Sequence, residues 1–509
     1  MSPTSRSDRR SVNHRAVTVV VCLSLAAVVA AMSSLNVAVP DIARQTGATS
    51  TDLSWIIDAY SLVFASLLLP AGALGDRFGR RRMLLAGLAI FGVASLVAMT
   101  VSDPTHLIML RGVMGLGAAL VMPATLSTIT STFPPDKRTT AVSVWAGVAG
   151  GSAIFGLLAS GVVLEIWSWR SVFGINVVLA VIALIATLRV VPESADEHAP
   201  ALDVGGVLLS VAGLVTLVYS IIEAPTAGWL SGRTVGGIIG GMAVLALFIG
   251  YELRQHAPML DPRVFTRRGL SAGSLSIFVQ FFAFFGFVFI ILQYLQFVRG
   301  DSALMSAVSM LPMAAVMMPA ARLSPVLVAR AGSRVVCVGG LVLVAAGLTV
   351  LAQLDSGTSY WWFAAGLIPL GVGMGTAMTP ATSSITGALP SAQQGVASAI
   401  NDLSREVGGA LGIAVLGSLM TQGYRSHLDL PGIPPDIAQR ARDSFAAASR
   451  AGGDIAARAD DAFISGLHLA LITGACAVLV VAIVVAVMIP TRTTPSAVGP
   501  IPDTAPRHS

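Results

Sequence analysis

The apolar residues of this chain fall into blocks of about twenty, each long enough to cross a bilayer as a helix. Polar residues collect in the turns between them. Fourteen spans are predicted, at 16–39, 53–73, 83–101, 106–130, 140–164, 171–191, 204–223, 234–251, 270–298, 304–327, 335–353, 360–386, 395–420 and 464–489. The pattern predicts an all-α polytopic membrane protein.

Composition agrees. The 509 residues are 55% hydrophobic with a mean hydropathy of +0.80, and only 11% are charged, where a soluble chain would carry about 25%. The net charge of +5 is therefore read as membrane orientation and not as a nucleic-acid surface. With both termini on one side, that side holds 20 of the lysines and arginines and the other 9, five of these in the long 421–463 loop. Short loops dominate the positive-inside rule, so both termini are expected in the cytoplasm. The first apolar run shows no cleavage site after it and is expected to be a retained helix. Cys22, Cys337 and Cys476 lie inside apolar runs without metal-ligand spacing, which points to neither a disulfide nor a metal.

The chain repeats itself. LGDRFGRRRMLLAGL (74–88) and LVARAGSRVVCVGGL (327–341) share Leu, Arg, Gly, Arg, Gly and Leu at a constant offset of 253, and Pro-Ala-Thr occurs at 123–125 and 380–382. The organisation expected is a cytoplasmic tail (1–15), a six-helix half (16–191), a linker (192–203), a two-helix insert (204–251) and a second linker (252–269). A second six-helix half (270–489) carries the extracellular loop 421–463, and a cytoplasmic tail (490–509) follows. Two matching halves around a midplane site are the architecture of a transporter that works by rocking.

The turn after the second span, GALGDRFGRRRM (72–83), gathers Asp76 and the arginines 77, 80, 81 and 82. The arginines anchor the turn inside; Asp76 needs another account, because an anion at a helix C-terminus opposes the macrodipole by roughly 0.3–1 kcal/mol. Either the turn is a hydrated, charge-balanced loop, or Asp76 reaches an arginine or the N-terminus of another helix. The candidate from the repeat is the eleventh helix, which starts after Gly332 and Ser333 on the same face. Ala329 replaces the aspartate there, so the contact would be made once, across the halves. Gly72, Gly75 and Gly79 would permit close approach.

Within the spans, Asp58 and Arg111 stand at similar depth below the extracellular end. They form either a permanent ion pair or a carboxylate that trades its proton for a cationic substrate, with Arg111 keeping it ionisable. In AINDLSREVGGALGIA (399–414), Asp402 and Glu406 share a helical face with Arg405 between them. An intrahelical ion pair and a proton-carrying role are both open. Gly147, Gly151, Ser152, Gly156 and Ser160 form a small-residue seam along the fifth span, and Gly408 and Gly412 repeat it in the thirteenth. Either seam could be a sliding surface between halves or ordinary tight packing. The ninth span holds nine aromatics between 276 and 297. Lipid-facing bulk is the default reading, although Gln280, Gln293 and Gln296 suit a polar face, and rings such as Tyr294 could bind lipophilic cations.

These residues carry a family resemblance. G-x-L-x-D-R-x-G-R-R-R at 72–82 resembles the signature loop of the major facilitator superfamily, and LRGVMGLGAA (110–119) resembles its fourth-span motif, with Arg111 at the motif's arginine. Fourteen spans with a central insert, NVAVPDIA (36–43), and SWIIDAYSLVFASLLLPAGALGDRFGRRR (54–82) are similar to drug:proton antiporters for quaternary ammonium and other lipophilic compounds. The resemblance implies the major facilitator fold, a cytoplasmic gate loop at Gly72, Asp76, Arg77, Gly79, Arg80 and Arg81, and a substrate cavity reached by Asn36. It implies proton coupling through Asp58, Asp402 or Glu406. Three departures stand out: Ala31 in place of a first-span aspartate, Gly156 in place of the fifth-span proline, and Met114 in place of a glutamine.

The reading is a secondary transporter that exports lipophilic, cationic small molecules in exchange for protons, as a monomer in the plasma membrane and without a cofactor. No Walker loop occurs, Lys137 is the sole lysine, and no nucleophile–base pair or metal cluster marks an enzyme. A dedicated exporter of one endogenous metabolite, such as an antibiotic or lipid, remains open, as does an uncoupled membrane sensor or scaffold.

Overall fold

A computed structural model describes residues 13–46, 50–194, 203–255, 258, 260–390, 393–443, 445, 448 and 452–489. Both tails therefore lie almost wholly outside the described residues, as does most of the 192–203 linker.

Long helices account for nearly all of it. The first half contains α1 (His14–Thr46), α2 (Ser50–Phe78), α3 (Arg80–Ala98), α4 (Pro104–Thr132), α5 (Pro135–Ile166) and α6 (Arg170–Val190). The insert is α7 (Val204–Ala227) and α8 (Gly232–Glu252). The second half holds α9 (Arg268–Gln293), α10 (Ala303–Ser309), α11 (Leu311–Leu351), α12 (Tyr360–Thr386), α13 (Gln394–His427), the short α14 (Pro435–Asp443) and α15 (Gly453–Met488). Among the described residues, thirteen helical stretches are long and apolar enough to cross a membrane. One of these, Leu304–Leu351, has 48 residues, about 72 Å if straight, or two crossings. It bends at Gly332 (φ 83°, ψ 155°), so the described residues hold fourteen crossings. Helix starts follow local chemistry: the Asp103 and Asp203 carboxylates accept from the N–H of His106 and Gly206 at 3.1 and 2.9 Å, capping α4 and α7.

The repeat is visible in the backbone. Gly79 (φ 107°) opens α3 and Gly332 opens the second limb of α11, both in the left-handed region that a side chain would disfavour. The two Pro-Ala-Thr segments also match. Thr125 accepts a hydrogen bond from the Trp145 indole of α5 (3.0 Å), and Thr382 donates to Asn401 of α13 (3.0 Å). α1 packs on α5 as α9 packs on α13, and α3 on α4 as the second limb of α11 on α12. The halves meet chiefly where α2 and α4 touch α13 and where α5 touches α10, α11 and α12. α7 leans on both α2 and α13, so the insert lines one edge of the seam between the halves.

Within 421–463 the described residues are largely helical: α13 runs on to His427, α15 begins at Gly453, and α14 lies between. Phe445 packs its ring against Tyr424 and Phe463, with centroids at 5.6 and 4.5 Å, fastening this segment onto the second half. The ninth span also departs from its default reading. Phe281, Phe282, Phe284 and Phe287 are buried among neighbouring helices, and only Phe289 and Phe297 are clearly exposed. A helix covered on most sides presents little to lipid.

The fifth-span glycines divide between two surfaces. Gly147 faces Ala321 and Met318 of α11 at ordinary contact distance, and Gly151 has open space around it. Gly156 instead abuts α1, where a Cβ would sit 2.5 Å from the Ala30 carbonyl oxygen and 2.7 Å from its Cα. The seam is thus interhalf at Gly147 and internal at Gly156. Gly408 and Gly412 do the same against the Phe278 and Phe282 carbonyls of α9. No side chain, proline included, fits at 156 without parting two backbones.

Gly156→Ala should lower the thermal midpoint of the purified protein, at a cost of about 1–3 kcal/mol for overpacking. Gly151→Ala, with room to spare, should leave the midpoint unchanged or raise it. Equal midpoints for the two variants would contradict the assignment.

Candidate functional site

Three groups of charged or polar side chains sit on the seam or beside it. The first is at the arginine-rich end of the bundle. Asp76, 3% exposed, ends α2, and its carboxylate accepts hydrogen bonds from the backbone N–H of Gly395 (2.8 Å to each oxygen) and of Val396 (3.2 Å). Those N–H groups belong to the first turn of α13, where a helix has no internal acceptors and carries positive dipole. Arg80, one turn on, adds a guanidinium contact at 2.7 Å. The expected partner helix was the eleventh; the observed one is the thirteenth. The reason is geometric: the α2–α3 turn abuts the start of α13 in the opposite half, while Gly332 has no neighbour within 4 Å of a notional Cβ.

Glycine makes this approach possible. A Cβ on Gly72 would lie 2.4 Å from the Gly395 oxygen, and one on Gly395 would lie 2.2 Å from the Gly72 oxygen. Gly75 is not needed in this way, and Gly79 serves the turn by its φ. The other arginines do separate work. Arg81 donates to the Leu188 carbonyl at the C-terminal end of α6 (2.7 Å), Arg82 lies 3.6 Å from Glu193, and Arg77 is exposed with its guanidinium 5.8 Å from the Phe78 ring centre.

The second group is on α13 itself. Asp402, Arg405 and Glu406 are all buried, with Asp402 at 0%. They stand about 10–16 Å along the helix from the capped end. Arg405 Nε donates to Glu406 Oε1 at 3.3 Å, while Arg405 Nη2 is 3.9 Å from Asp402 Oδ1, beyond hydrogen-bond reach. The guanidinium carbon is 5.5 Å from the Phe281 ring centre on α9. Asp402 Oδ2 and both terminal nitrogens of Arg405 have no hydrogen-bond partner. On the neighbouring α9, Gln280 is fully buried and donates to Ser276, while its Oε1 is likewise unpartnered.

The third group is in the first half. Asp58 is half-buried on α2. Of the two readings left open for Asp58 and Arg111, the permanent ion pair is not formed: Arg111 Nε donates to the Ile56 carbonyl at 2.8 Å, and its guanidinium carbon stacks 4.5 Å from the Tyr60 ring centre. Arg111 is thereby spent on holding α4 to α2, although its charge still acts on Asp58 through space. Sequence reasoning missed two neighbours here. Glu223 of α7 also acts electrostatically on Asp58; its position at the C-terminal end of the predicted seventh span was a usable signal. Tyr60, fully buried, donates to the Val28 carbonyl (3.1 Å) and feels the charges of Arg111, Arg405 and Glu406, so it stands where the halves meet.

The remaining cavity candidates do not converge. Tyr294 spends its hydroxyl on the Asp355 carbonyl (2.7 Å), and Gln293 bonds back to Phe289 of its own helix (3.1 Å). Both lie about 20 Å along α9 from Gln280. Asn36 is in α1, with its side chain outside the described residues.

With this geometry in place, comparison with known proteins is direct. The sequence profile of the Major Facilitator Superfamily matches residues 21–413. The chain is 36% identical over 401 residues to the methyl viologen resistance protein SmvA of Salmonella typhimurium (strain LT2), covering 78% of this chain and 80% of that one. It is 33% identical over 463 residues to the multidrug efflux pump LfrA of Mycolicibacterium smegmatis, covering 89% and 92%. Among solved structures, the human organic anion transporter MFSD10 (TETRAN) superposes with a TM-score of 0.63 over 93% of this chain and 99% of that one, at 15% identity, a likeness of fold. The signature turn, the doubled six-helix architecture and these matches agree that the chain belongs to the major facilitator superfamily.

Proposed function

We propose that the protein exports lipophilic, cationic drugs or toxic small molecules in exchange for protons, as a single chain in the plasma membrane with both termini in the cytoplasm. The observation that carries the reading is the doubling of roles on α13. Its N-terminus is held by Asp76 of the opposite half, and its middle carries Asp402 and Glu406, both buried. A carboxylate in such surroundings costs about 2.5–3.5 kcal/mol or more when charged and unpaired. One guanidinium, Arg405, stands beside both acids and offsets part of that cost; protonation and a bound cation are two ways to relieve the rest, and they exclude each other. Competition for one carboxylate is the physical basis of exchange. Asp76 holds the cytoplasmic end closed, and rocking of the halves breaks and remakes its contact with α13.

The relatives' names, methyl viologen resistance and multidrug efflux, support a drug-like cargo. Asp58 and Glu223, with the Trp55 and Tyr219 rings stacked at 5.6 Å between α2 and α7, add negative charge and aromatic surface suited to a lipophilic cation.

Three outcomes are expected. In everted vesicles, Asp402→Asn combined with Glu406→Gln should lower gradient-driven efflux of ethidium by about tenfold or more, a loss of at least about 1.4 kcal/mol of coupling; undiminished efflux would refute the proton role. Asp76→Asn removes charge-assisted bonds worth about 1.5–3 kcal/mol, so transport at equal expression should drop severalfold, and wild-type rates would refute the latch. A green fluorescent protein fused at the C-terminus should fluoresce, while an alkaline phosphatase fusion there should be inactive; the reverse pattern would invert the topology.

A further inference from the structure

Arg405 is the least satisfied charged group of the seam. It is 2% exposed, its Nε is engaged by Glu406, and neither Nη1 nor Nη2 has a hydrogen-bond partner. A guanidinium carries five N–H donors in a planar fork, so four point at no acceptor. A buried donor left this way costs free energy that an acceptor oxygen would recover. Beside the fork stands Phe281 of α9, whose ring centre is 5.5 Å away, and Tyr60 of α2, in the opposite half, feels its charge through space. Phe281 continues into Phe284 and Phe285, with ring centroids 6.2 and 5.9 Å from its own. The charged or titratable groups that act at this point are Asp402 and Glu406 on α13, Tyr60 on α2, and Arg111 on α4 stacked against Tyr60.

We propose that Arg405 is a receiving group for an anionic or oxygen-acceptor substituent, so that the seam takes flat aromatic molecules bearing a carboxylate or phenolate as well as cations. This rests on the reading of the chain as a small-molecule transporter and extends its substrate class. The fork geometry matches a carboxylate in two-point contact, and the Phe281 ring beside it offers a face for an aromatic frame. The two acids and the arginine give the site either sign of preference. Ionised Asp402 and Glu406 receive a cation, and once they are neutralised the guanidinium is left to receive an anion.

The test uses two xanthene dyes of similar shape and opposite charge, anionic fluorescein and cationic rhodamine 123. Binding is read by fluorescence anisotropy on the purified full chain in lipid nanodiscs. Wild type should bind both saturably. Arg405→Gln should weaken fluorescein by about tenfold or more, as expected for a lost charge-assisted bond, and should tighten rhodamine 123, because a positive charge beside two carboxylates has gone. Arg405→Lys should restore part of the fluorescein affinity. A purely structural role for Arg405 would weaken both dyes together, and that result would overturn the proposal. Absence of saturable fluorescein binding to wild type would overturn it without any variant, whether or not Arg405→Gln folds. Rhodamine binding without fluorescein binding would leave the cation-export reading standing, whereas fluorescein binding without proton-linked rhodamine efflux would sink that reading and keep this one.

Discussion

The structure turns on one carboxylate. Asp76 stands at the end of α2 where the helix dipole disfavours an anion, and it is relieved by the first N–H groups of α13, where the dipole favours one. Neither end is well satisfied alone. The contact joins the two halves at the arginine-rich end, and it is made once, because the matching position in the second half is Ala329. An interaction made from two local mismatches has a built-in alternative, since both partners can return to water when the halves part. That reversibility suits the rocking proposed above better than a packed apolar contact would.

α13 transmits what happens there. It is one continuous helix from Gln394 to His427, clasped along α9 by glycines at 408 and 412 that leave no room for side chains. Charge placed at Asp402 or Glu406 therefore acts on the same rigid rod whose end Asp76 holds. The seam between halves is tight where Gly72 meets Gly395 and looser along part of α5, where Gly147 meets α11 at ordinary contact distance and Gly151 meets nothing. Tight glycine packing inside each half, with a seam that is close at one end and looser at Gly147 and Gly151, suits the rocking of halves as units proposed above.

Much of this was legible in the residues. The apolar blocks gave the spans, and the offset of 253 gave the halves. The glycine that opens the third span repeated as Gly332 with the same backbone sign. The macrodipole points to a partner for Asp76, an arginine or a helix N-terminus, and Arg80 and α13 supply both; the eleventh helix was the wrong candidate, because similarity between repeats says which segments correspond and not which ones touch. Arg111 was paired with Asp58 on depth alone; in the fold its reach is used by the Ile56 carbonyl and the Tyr60 ring, contacts that depth cannot reveal. Gly156 stands in the sequence only as a departure from a family pattern. Its reason is the Ala30 backbone on another helix, 126 residues earlier in the chain. Glu223 was overlooked because a span's final residue reads as a loop when its neighbour helix is unknown.

The account stands or falls on whether charge in the middle of α13 governs the contact at its end. The direct measurement is the distance between spin labels at positions 82 and 330, one in each half at the arginine-rich end, taken by pulsed electron resonance at acidic and alkaline pH in a cysteine-free background. In the wild-type seam the distance distribution should shift with pH, and in the Asp402→Asn, Glu406→Gln variant it should stay fixed. If the doubly neutralised protein shows the same shift as its parent, those two acids do not control the contact.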